Sequence, residues 1–167
     1  FVFLHPLYMS FIWIAGGLLF YFRWERRKLA LPAPDDCPLF SIIIPAHNEE
    51  GTIGDALSDL AQINYPRYEA IVVNDGSTDR TGRILDELLK KYSTWLRVVH
   101  LRPNSGKARA VNTGILVSKG QFILVMDADS FLDRDALRWM AYHFLSYPRV
   151  GAVTGNPRVA NRTTLLG

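Results

Sequence analysis

Charged side chains are missing from residues 1–22, apart from His5, which can be protonated. A helix of this length rises about 33 Å at ~1.5 Å per residue, enough to cross the ~30 Å hydrocarbon core of a bilayer. A core helix would show a polar face, and a signal peptide carries its basic residues in front of the apolar run. Here the basic residues follow, in residues 23–28. The pattern predicts a transmembrane helix at 1–22, with everything after it in the cytoplasm.

The sequence is also poor in features that mark other functions. It has one cysteine, Cys37, which excludes an intrachain disulfide and fits a reducing compartment. The histidines show no metal-ligand spacing and no cysteine cluster accompanies them, so a zinc site is not expected. The net charge of +3 equals the charge of residues 23–28 alone. The rest of the chain is balanced, which gives no reason to expect a nucleic-acid partner.

Two common nucleotide-binding motifs are absent as well. No G-x-G-x-x-G occurs in the sequence, which argues against a dinucleotide-binding fold. The stretch NSGKA, residues 104–108, resembles a P-loop but does not match it. Leu101 stands where the first Gly is required, and Ala108 stands where Ser or Thr is required.

Residues 23–39 contain basic residues and then several prolines, which predicts a juxtamembrane segment and linker. Residues 40–167 are predicted to form one domain in which short apolar runs alternate with longer helical patterns. The runs predicted as strands are Phe40–Ile44, Ala70–Val73, Leu96–Val99, Phe122–Met126 and Val150–Val153. The predicted helices are Thr52–Ala61, Asp79–Lys91, Lys107–Val117 and Arg134–Leu145. This alternation predicts an α/β fold with a mostly parallel sheet, nearly continuous apolar strands and helices on both faces.

Polar and small residues follow every predicted strand. In open α/β sheets ligands bind beyond the carboxyl ends of the strands, so these segments are the candidate site. The segments are PAHNEEGT (Pro45–Thr52), NDGSTD (Asn74–Asp79), NSGKA (Asn104–Ala108), DADS (Asp127–Ser130) and TGNPR (Thr154–Arg158). Ordinary loop composition explains each segment singly, but less well all of them together.

The acids and the lysine in these segments suit a nucleoside diphosphate. In an extended backbone residues two apart point to one side, so Asp127 and Asp129 can face one ion, and carboxylate oxygens suit Mg²⁺ or Mn²⁺. The alternative is a helix cap and a solvated acid. Asp75 is either a turn residue beside Gly76 or an acceptor for the imide N–H of uracil. Lys107 is either solvated or, at a helix N-terminus, a ligand of the diphosphate.

The order of the motifs SIIIPAHNEE, IVVNDGSTD, NSGKARAVNTG and ILVMDADS resembles the processive glycosyltransferases of family two, which have the GT-A fold. The resemblance covers nearly the whole chain. It implies a metal-dependent, inverting hexosyltransferase in the membrane, with a UDP-sugar donor, N-acetylglucosamine as the expected sugar, and Mg²⁺ or Mn²⁺ as cofactor. It implies nucleoside binding by Pro45, His47 and Glu49, uracil binding by Asp75, diphosphate binding by Lys107, and contacts to the donor, its leaving group and the metal by Asp127 and Asp129.

The resemblance also implies a growing extracellular polysaccharide as acceptor, surrounding membrane lipid, a small membrane partner subunit, and a plasma-membrane location with the catalytic domain in the cytoplasm. Such enzymes carry a T-E-D motif, whose Asp is the general base, and Q-x-x-R-W, which holds the acceptor. The sequence contains neither motif. DALRW at Asp135–Trp139 has Asp in place of Gln and comes too early, so Trp139 is expected in the core. We therefore expect the donor-binding part of a longer protein, inactive alone and without the general base.

Two alternatives stay open at this point. One is a lipid-linked sugar transferase of the polyprenyl-phosphate type. The other is a nucleotide-binding module without catalysis, if the chain ends at Gly167.

Overall fold

The computed structural model describes residues 4–25 and 37–155, without the side chains of residues 24 and 25. The chain divides into two compact units, Phe1–Leu31 and Pro32–Gly167. Most of the predicted linker lies outside the described residues, as do residues 156–167 with Arg158.

The described residues of the first unit, 4–25, form an apolar helix. Helix α1 spans Leu4–Phe20, and a π-helical turn, Tyr21–Glu25, continues it. No residue of α1 is buried, and even Trp13 exposes most of its surface. By length and composition, Leu4–Arg23 could cross a membrane. The predicted N-terminal helix is therefore present, and its passage through a membrane stays a prediction.

The second unit is built on a parallel sheet. The strands are β1 (Phe40–Ala46), β2 (Tyr68–Asp75), β3 (Leu96–Leu101) and β4 (Phe122–Val125). The helices are α2 (Ile53–Leu60), α3 (Thr81–Lys91), α4 (Lys107–Val117) and α5 (Ala136–Ser146). All strand pairs are parallel, in the order β3-β2-β1-β4. This confirms the predicted α/β fold.

The two central strands are buried on both faces, as their continuous apolar composition predicts. Side chains on one face of β1 and β2 pack with α2, α3 and α5 in a large core that includes Phe40, Ile42, Ile44, Leu57, Leu85 and Leu137. Side chains on the other face form a smaller cluster with α4, namely Ile43, Ile71, Val73 and Ala110. Helices therefore cover both faces of the sheet.

The strand order creates a crevice beside β1. The chain proceeds from β1 to β2 to β3 in one direction, and then β4 pairs with the other side of β1. Loops that leave β1 and β4 diverge from this point, and ligands bind at such a switch beyond the carboxyl ends of the strands. The topology thus places the loops after β1 and β4 around one crevice.

Two expectations about the last strands are wrong. Strand β4, which spans Phe122–Val125, is not buried on both faces as its continuous apolar run predicts, because Ile123 and Val125 are 39% and 46% exposed. It lies at the edge of the sheet, and no strand of the described residues pairs with its outer side. The segment Val150–Val153 is not a strand in the structure. A strand needs a pairing partner, which an apolar run alone does not supply.

Trp139 was expected in the core, and this expectation is also wrong. Its side chain is 38% exposed on the outer side of α5. Helical spacing instead directs Leu137, Met140 and Ala141 toward the sheet, where all three are buried.

A carboxylate ties three strands together at the amino end of the sheet. Glu69 accepts hydrogen bonds from Ser41 Oγ and from the backbone N–H of Lys119, each at 2.7 Å, and Arg97 donates to it at 3.3 Å. Burial raises the pKa of Glu69, but these donors outweigh burial, and the pKa lies below its ordinary value. The same Ser41 hydroxyl accepts the N–H of Gly120 at 2.8 Å, which fixes the start of β4 beside β1.

Close packing of α4 on the sheet predicts opposite effects for two glycines. A Cβ on Gly114 would overlap Ile43 Cγ2 and lie 3.3 Å from Val73 Cγ2, whereas a Cβ on Gly54 in α2 would meet nothing within 4 Å. Gly114→Ala should lower the free energy of unfolding by about 1–3 kcal/mol through overpacking. Gly54→Ala should leave it unchanged or raise it by up to about 1 kcal/mol through helix propensity.

Urea unfolding followed by circular dichroism measures both variants. Equal changes for the two alanines would contradict the close approach of α4 to β1.

Candidate active site

A cavity of about 320 Å³ opens beyond the carboxyl ends of the strands. Its lining residues are Pro45, Ala46, His47, Glu49, Asp75, Asn104, Gly106, Lys107, Ala110, Asp127, Ala128 and Asp129. Every side chain that the sequence suggested for the nucleoside, the diphosphate and the metal is in this set. Asn104 also lines the cavity; it begins the NSGKA segment, but its residue type alone predicts no contact with a particular part of the ligand.

Hydrogen bonds join the loop after β1 to the loop after β2. Asn48 accepts the backbone N–H of Thr78 through Oδ1 at 2.9 Å, and its own N–H donates to Ser77 Oγ at 3.0 Å. The N–H of Glu49 donates to Thr81 Oγ1 at 2.8 Å. Asn48 has a φ of 56°, which asparagine tolerates better than most residues. Several polar residues of these two motifs therefore hold the loops in place.

Glu49 and Glu50 have different surroundings. One carboxylate oxygen of Glu49 accepts the hydroxyl of Thr52 at 2.7 Å, just before α2 begins, while the residue still lines the cavity. Glu50 accepts the backbone N–H of Arg80 at 2.9 Å and its Nε at 3.2 Å. The Arg80 guanidinium holds the pKa of the Glu50 carboxyl below its ordinary value. Glu50 thus joins the two loops at the surface.

Asp75 carries the loop that leads into α4. Its side chain is 3% exposed, and its two oxygens accept the backbone N–H groups of Ser105 at 2.9 Å and Gly106 at 2.7 Å. Hydrogen bonds of this kind offset the cost of burying a carboxylate. Each oxygen keeps a further lone pair that could accept another hydrogen bond. The contact to uracil is compatible with this geometry and stays a prediction.

Gly76 allows this loop to approach. Its φ is +64°, and a Cβ at this position would lie 2.5 Å from the backbone nitrogen of Asn104. Both the backbone conformation and the space therefore require glycine. The sequence predicts a turn at Gly76. It does not predict that the loop after β3 packs against this turn, because that contact joins distant parts of the chain.

The His47 ring is held between three loops. Its Nδ1 lies 2.9 Å from the backbone oxygen of Asp75 and 3.0 Å from Nδ2 of Asn104. Because a carbonyl oxygen only accepts, Nδ1–H donates to Asp75, and Nδ2 of Asn104, which is itself a donor, is then a close neighbour of Nδ1 rather than its hydrogen-bond partner. Nε2 can then accept from Nδ2 of Asn48 at 3.3 Å. These contacts orient the imidazole at the wall of the cavity.

Lys107 and Asp127 form an ion pair across the site. Nζ of Lys107 lies 2.5 Å from Oδ1 of Asp127, and the two side chains are 64% and 54% exposed. Lys107 is the first residue of α4, directly after Gly106, whose φ is +91°. The diphosphate candidate and one metal candidate therefore contact each other in the structure.

The acids after β4 lie in a turn, not in the extended backbone predicted from the sequence. The N–H of Ser130 donates to the backbone oxygen of Asp127 at 3.1 Å. Ala128 is buried, whereas Asp127 and Asp129 are exposed and both line the cavity. The predicted extended backbone is therefore wrong, but both carboxylates line the same cavity.

The donor set suits a small divalent ion that is shared with a ligand. No cluster of three or more His, Cys, Asp or Glu side chains in the described ranges could enclose a metal. Two carboxylates suffice for Mg²⁺ or Mn²⁺, which keep waters and take phosphate oxygens as further ligands. Asp127 and Asp129 therefore fit such an ion.

Comparison with known proteins assigns the chain to a family. The model of glycosyl transferase family 2 matches residues 41–165. Across its whole length the chain is 36% identical to poly-beta-1,6-N-acetyl-D-glucosamine synthase from Staphylococcus epidermidis, and 36% identical to that of Staphylococcus aureus strain MSSA476. It spans 41% of the length of each relative. The stretches DRDAL and YPRVGAVTGNPRVANRTTLLG, from Asp133 onward, resemble the sequence of these synthases, and the matches confirm this likeness.

Solved structures agree with the fold. Mannosyltransferase PcManGT from Pyrobaculum calidifontis, in complex with GDP-Man and Mn²⁺, superposes with a TM-score of 0.68 at 28% identity and covers 91% of this chain and 46% of its own. S. aureus TarS 1-349, in complex with UDP-GlcNAc, gives a TM-score of 0.60 at 30% identity and covers 66% of this chain and 32% of its own. The predicted GT-A arrangement is confirmed.

The support of the loop by Asp75 can be tested by replacing one acceptor oxygen. Asp75→Asn places an NH₂ group against a backbone N–H and should lower the free energy of unfolding by about 1–3 kcal/mol. It should also speed hydrogen exchange at the N–H groups of Ser105 and Gly106.

The matched control is Asp55→Asn at an exposed position of α2, with an expected change below about 0.5 kcal/mol. Unchanged exchange at Ser105 and Gly106 in the Asp75 variant would contradict the supporting role.

Proposed function

The chain belongs to glycosyl transferase family 2, and we propose that it is the donor-binding part of a membrane-bound enzyme that transfers N-acetylglucosamine from a UDP-sugar to a growing extracellular polysaccharide. One observation carries the proposal: a buried acid, a lysine at a helix N-terminus and a pair of exposed acids line one cavity at the switch point of the sheet. The names of the polysaccharide synthases and the UDP-GlcNAc in the TarS complex support the donor and the product.

The donor would lie along the loops in the order of the motifs. Pro45, His47 and Glu49 would contact the nucleoside, and Asp75 would accept the imide N–H of uracil through a free lone pair. The diphosphate would lie at the first turn of α4, where Lys107 and the helix N-terminus both attract negative charge. A volume of about 320 Å³ lies within the range of small-molecule sites.

The chemistry would be displacement of UDP from the sugar with inversion. Asp127 and Asp129 would hold Mg²⁺ or Mn²⁺, and the Mn²⁺ in the PcManGT complex supports a divalent ion. When bound, that ion supplies positive charge for the phosphate leaving group. Lys107 adds a second positive charge at the same diphosphate. The base that takes the acceptor proton is not assigned to any described residue, because T-E-D is absent from this sequence.

The proposed enzyme is anchored in the plasma membrane by its N-terminal helix. Residues 1–22 would span the plasma membrane, residues 23–39 would form the basic juxtamembrane segment and linker, and residues 40–167 would lie in the cytoplasm with access to UDP-sugars. The apolar helix α1, in which no residue is buried, supports this arrangement. A polysaccharide acceptor and a small membrane partner subunit belong to the same proposal.

Calorimetry of nucleotide binding tests the proposed donor site. Mn²⁺ should raise the affinity for UDP about tenfold or more, because the ion joins the diphosphate to Asp127 and Asp129. Asp129→Asn should remove most of this gain. Asp133→Asn, an exposed acid outside the cavity lining, is the matched control and should keep it.

An affinity for UDP that is independent of Mn²⁺ would contradict the metal-bridged site. Tighter binding of GDP than of UDP would overturn the assigned donor and favour a mannosyl donor instead.

A further inference from the structure

The ion pair of Lys107 and Asp127 joins two residues that the proposed function gives to different ligands. Lys107 is assigned to the diphosphate and Asp127 to the metal, yet the ammonium and the carboxylate contact each other in the structure. The inference below rests on the proposed function, because it concerns the order in which these ligands enter.

Lys107 and a divalent ion compete for Asp127. One carboxylate oxygen is already occupied by Nζ, and a divalent ion at the same group would lie close to a positive charge. At about 4 Å a unit charge and a divalent ion repel enough, even in water, to change an equilibrium constant by up to roughly thirtyfold before salt screens the two charges. Lys107 therefore lowers the affinity of Asp127 for a divalent ion when no diphosphate is bound.

The structure also lets the pair open with little cost. Both side chains are more than half exposed, and an ion pair of this kind contributes no more than about fivefold to an equilibrium constant. Asp75 holds the backbone of Gly106 and Ser105. Only the flexible stem of Lys107 has to move, while the start of α4 stays in place.

We propose that Lys107 is an internal counter-ion for Asp127, which occupies the metal ligand until a diphosphate draws the ammonium away. The diphosphate gives Lys107 a new partner and offers oxygens to the ion that Asp127 then binds. Nucleotide and metal therefore bind with positive coupling, and each raises the affinity for the other by the same factor. Lys107 is the one lysine or arginine among the cavity-lining residues in the described part of the chain, so no second cation replaces it.

The experiment measures Mn²⁺ binding without nucleotide, from the electron paramagnetic resonance signal of the free ion. Lys107→Met should bind Mn²⁺ about 3- to 10-fold more tightly than the unchanged chain, because the competing charge is gone. Lys107→Arg keeps the charge and should show the weak binding of the unchanged chain. Lys119→Met removes an exposed lysine at the opposite end of the sheet and should change nothing.

Repeating the titration with UDP measures the coupling. In the unchanged chain UDP should raise the Mn²⁺ affinity about tenfold or more, and in Lys107→Met this factor should be about 3- to 10-fold smaller, because only the direct contact between the ion and the diphosphate remains. If Lys107→Met leaves the affinity for Mn²⁺ alone unchanged while the unchanged chain still binds UDP with Mn²⁺, the counter-ion role is overturned and the proposed function stands. If the unchanged chain binds no UDP with Mn²⁺, the proposed function fails as well.

Discussion

The buried carboxylate of Asp75 is the interaction on which the site depends. It ends a central strand and binds the backbone of the loop that starts α4, so one side chain links the sheet to the diphosphate end of the cavity. Gly76 makes the contact possible, since any side chain there would collide with Asn104. Loss of this link would release the N-terminus of α4 and, with it, Lys107, the first residue of that helix.

Charge balance in the cavity follows from this support. Two exposed acids at the end of an apolar strand would repel each other, and one of them is neutralised by a lysine held at a fixed point. The same lysine is the group that a diphosphate attracts. A site arranged in this way favours the binding of metal and nucleotide together.

The sequence predicted the fold where long apolar runs left no alternative, as in β1 and β2, and it predicted the range of α4, Lys107–Val117, as observed. It did not predict the exposed face of β4, because an edge strand and a central strand can have the same apolar composition. Every assigned site residue lines the cavity, since parallel strands bring their carboxyl ends to one edge. The binding of Asn48 to Thr78 and of Asp75 to the loop after β3 could not be predicted, because both contacts join segments far apart in the chain.

A crystal structure of the chain with UDP and Mn²⁺ would test the central claim most directly. The account predicts an anomalous manganese signal within coordination distance of Asp127 and Asp129, bound also by the diphosphate, with Nζ of Lys107 moved from Asp127 to a phosphate oxygen. A manganese ion held away from both aspartates, or a Lys107 that still contacts Asp127 beside a bound diphosphate, would contradict it.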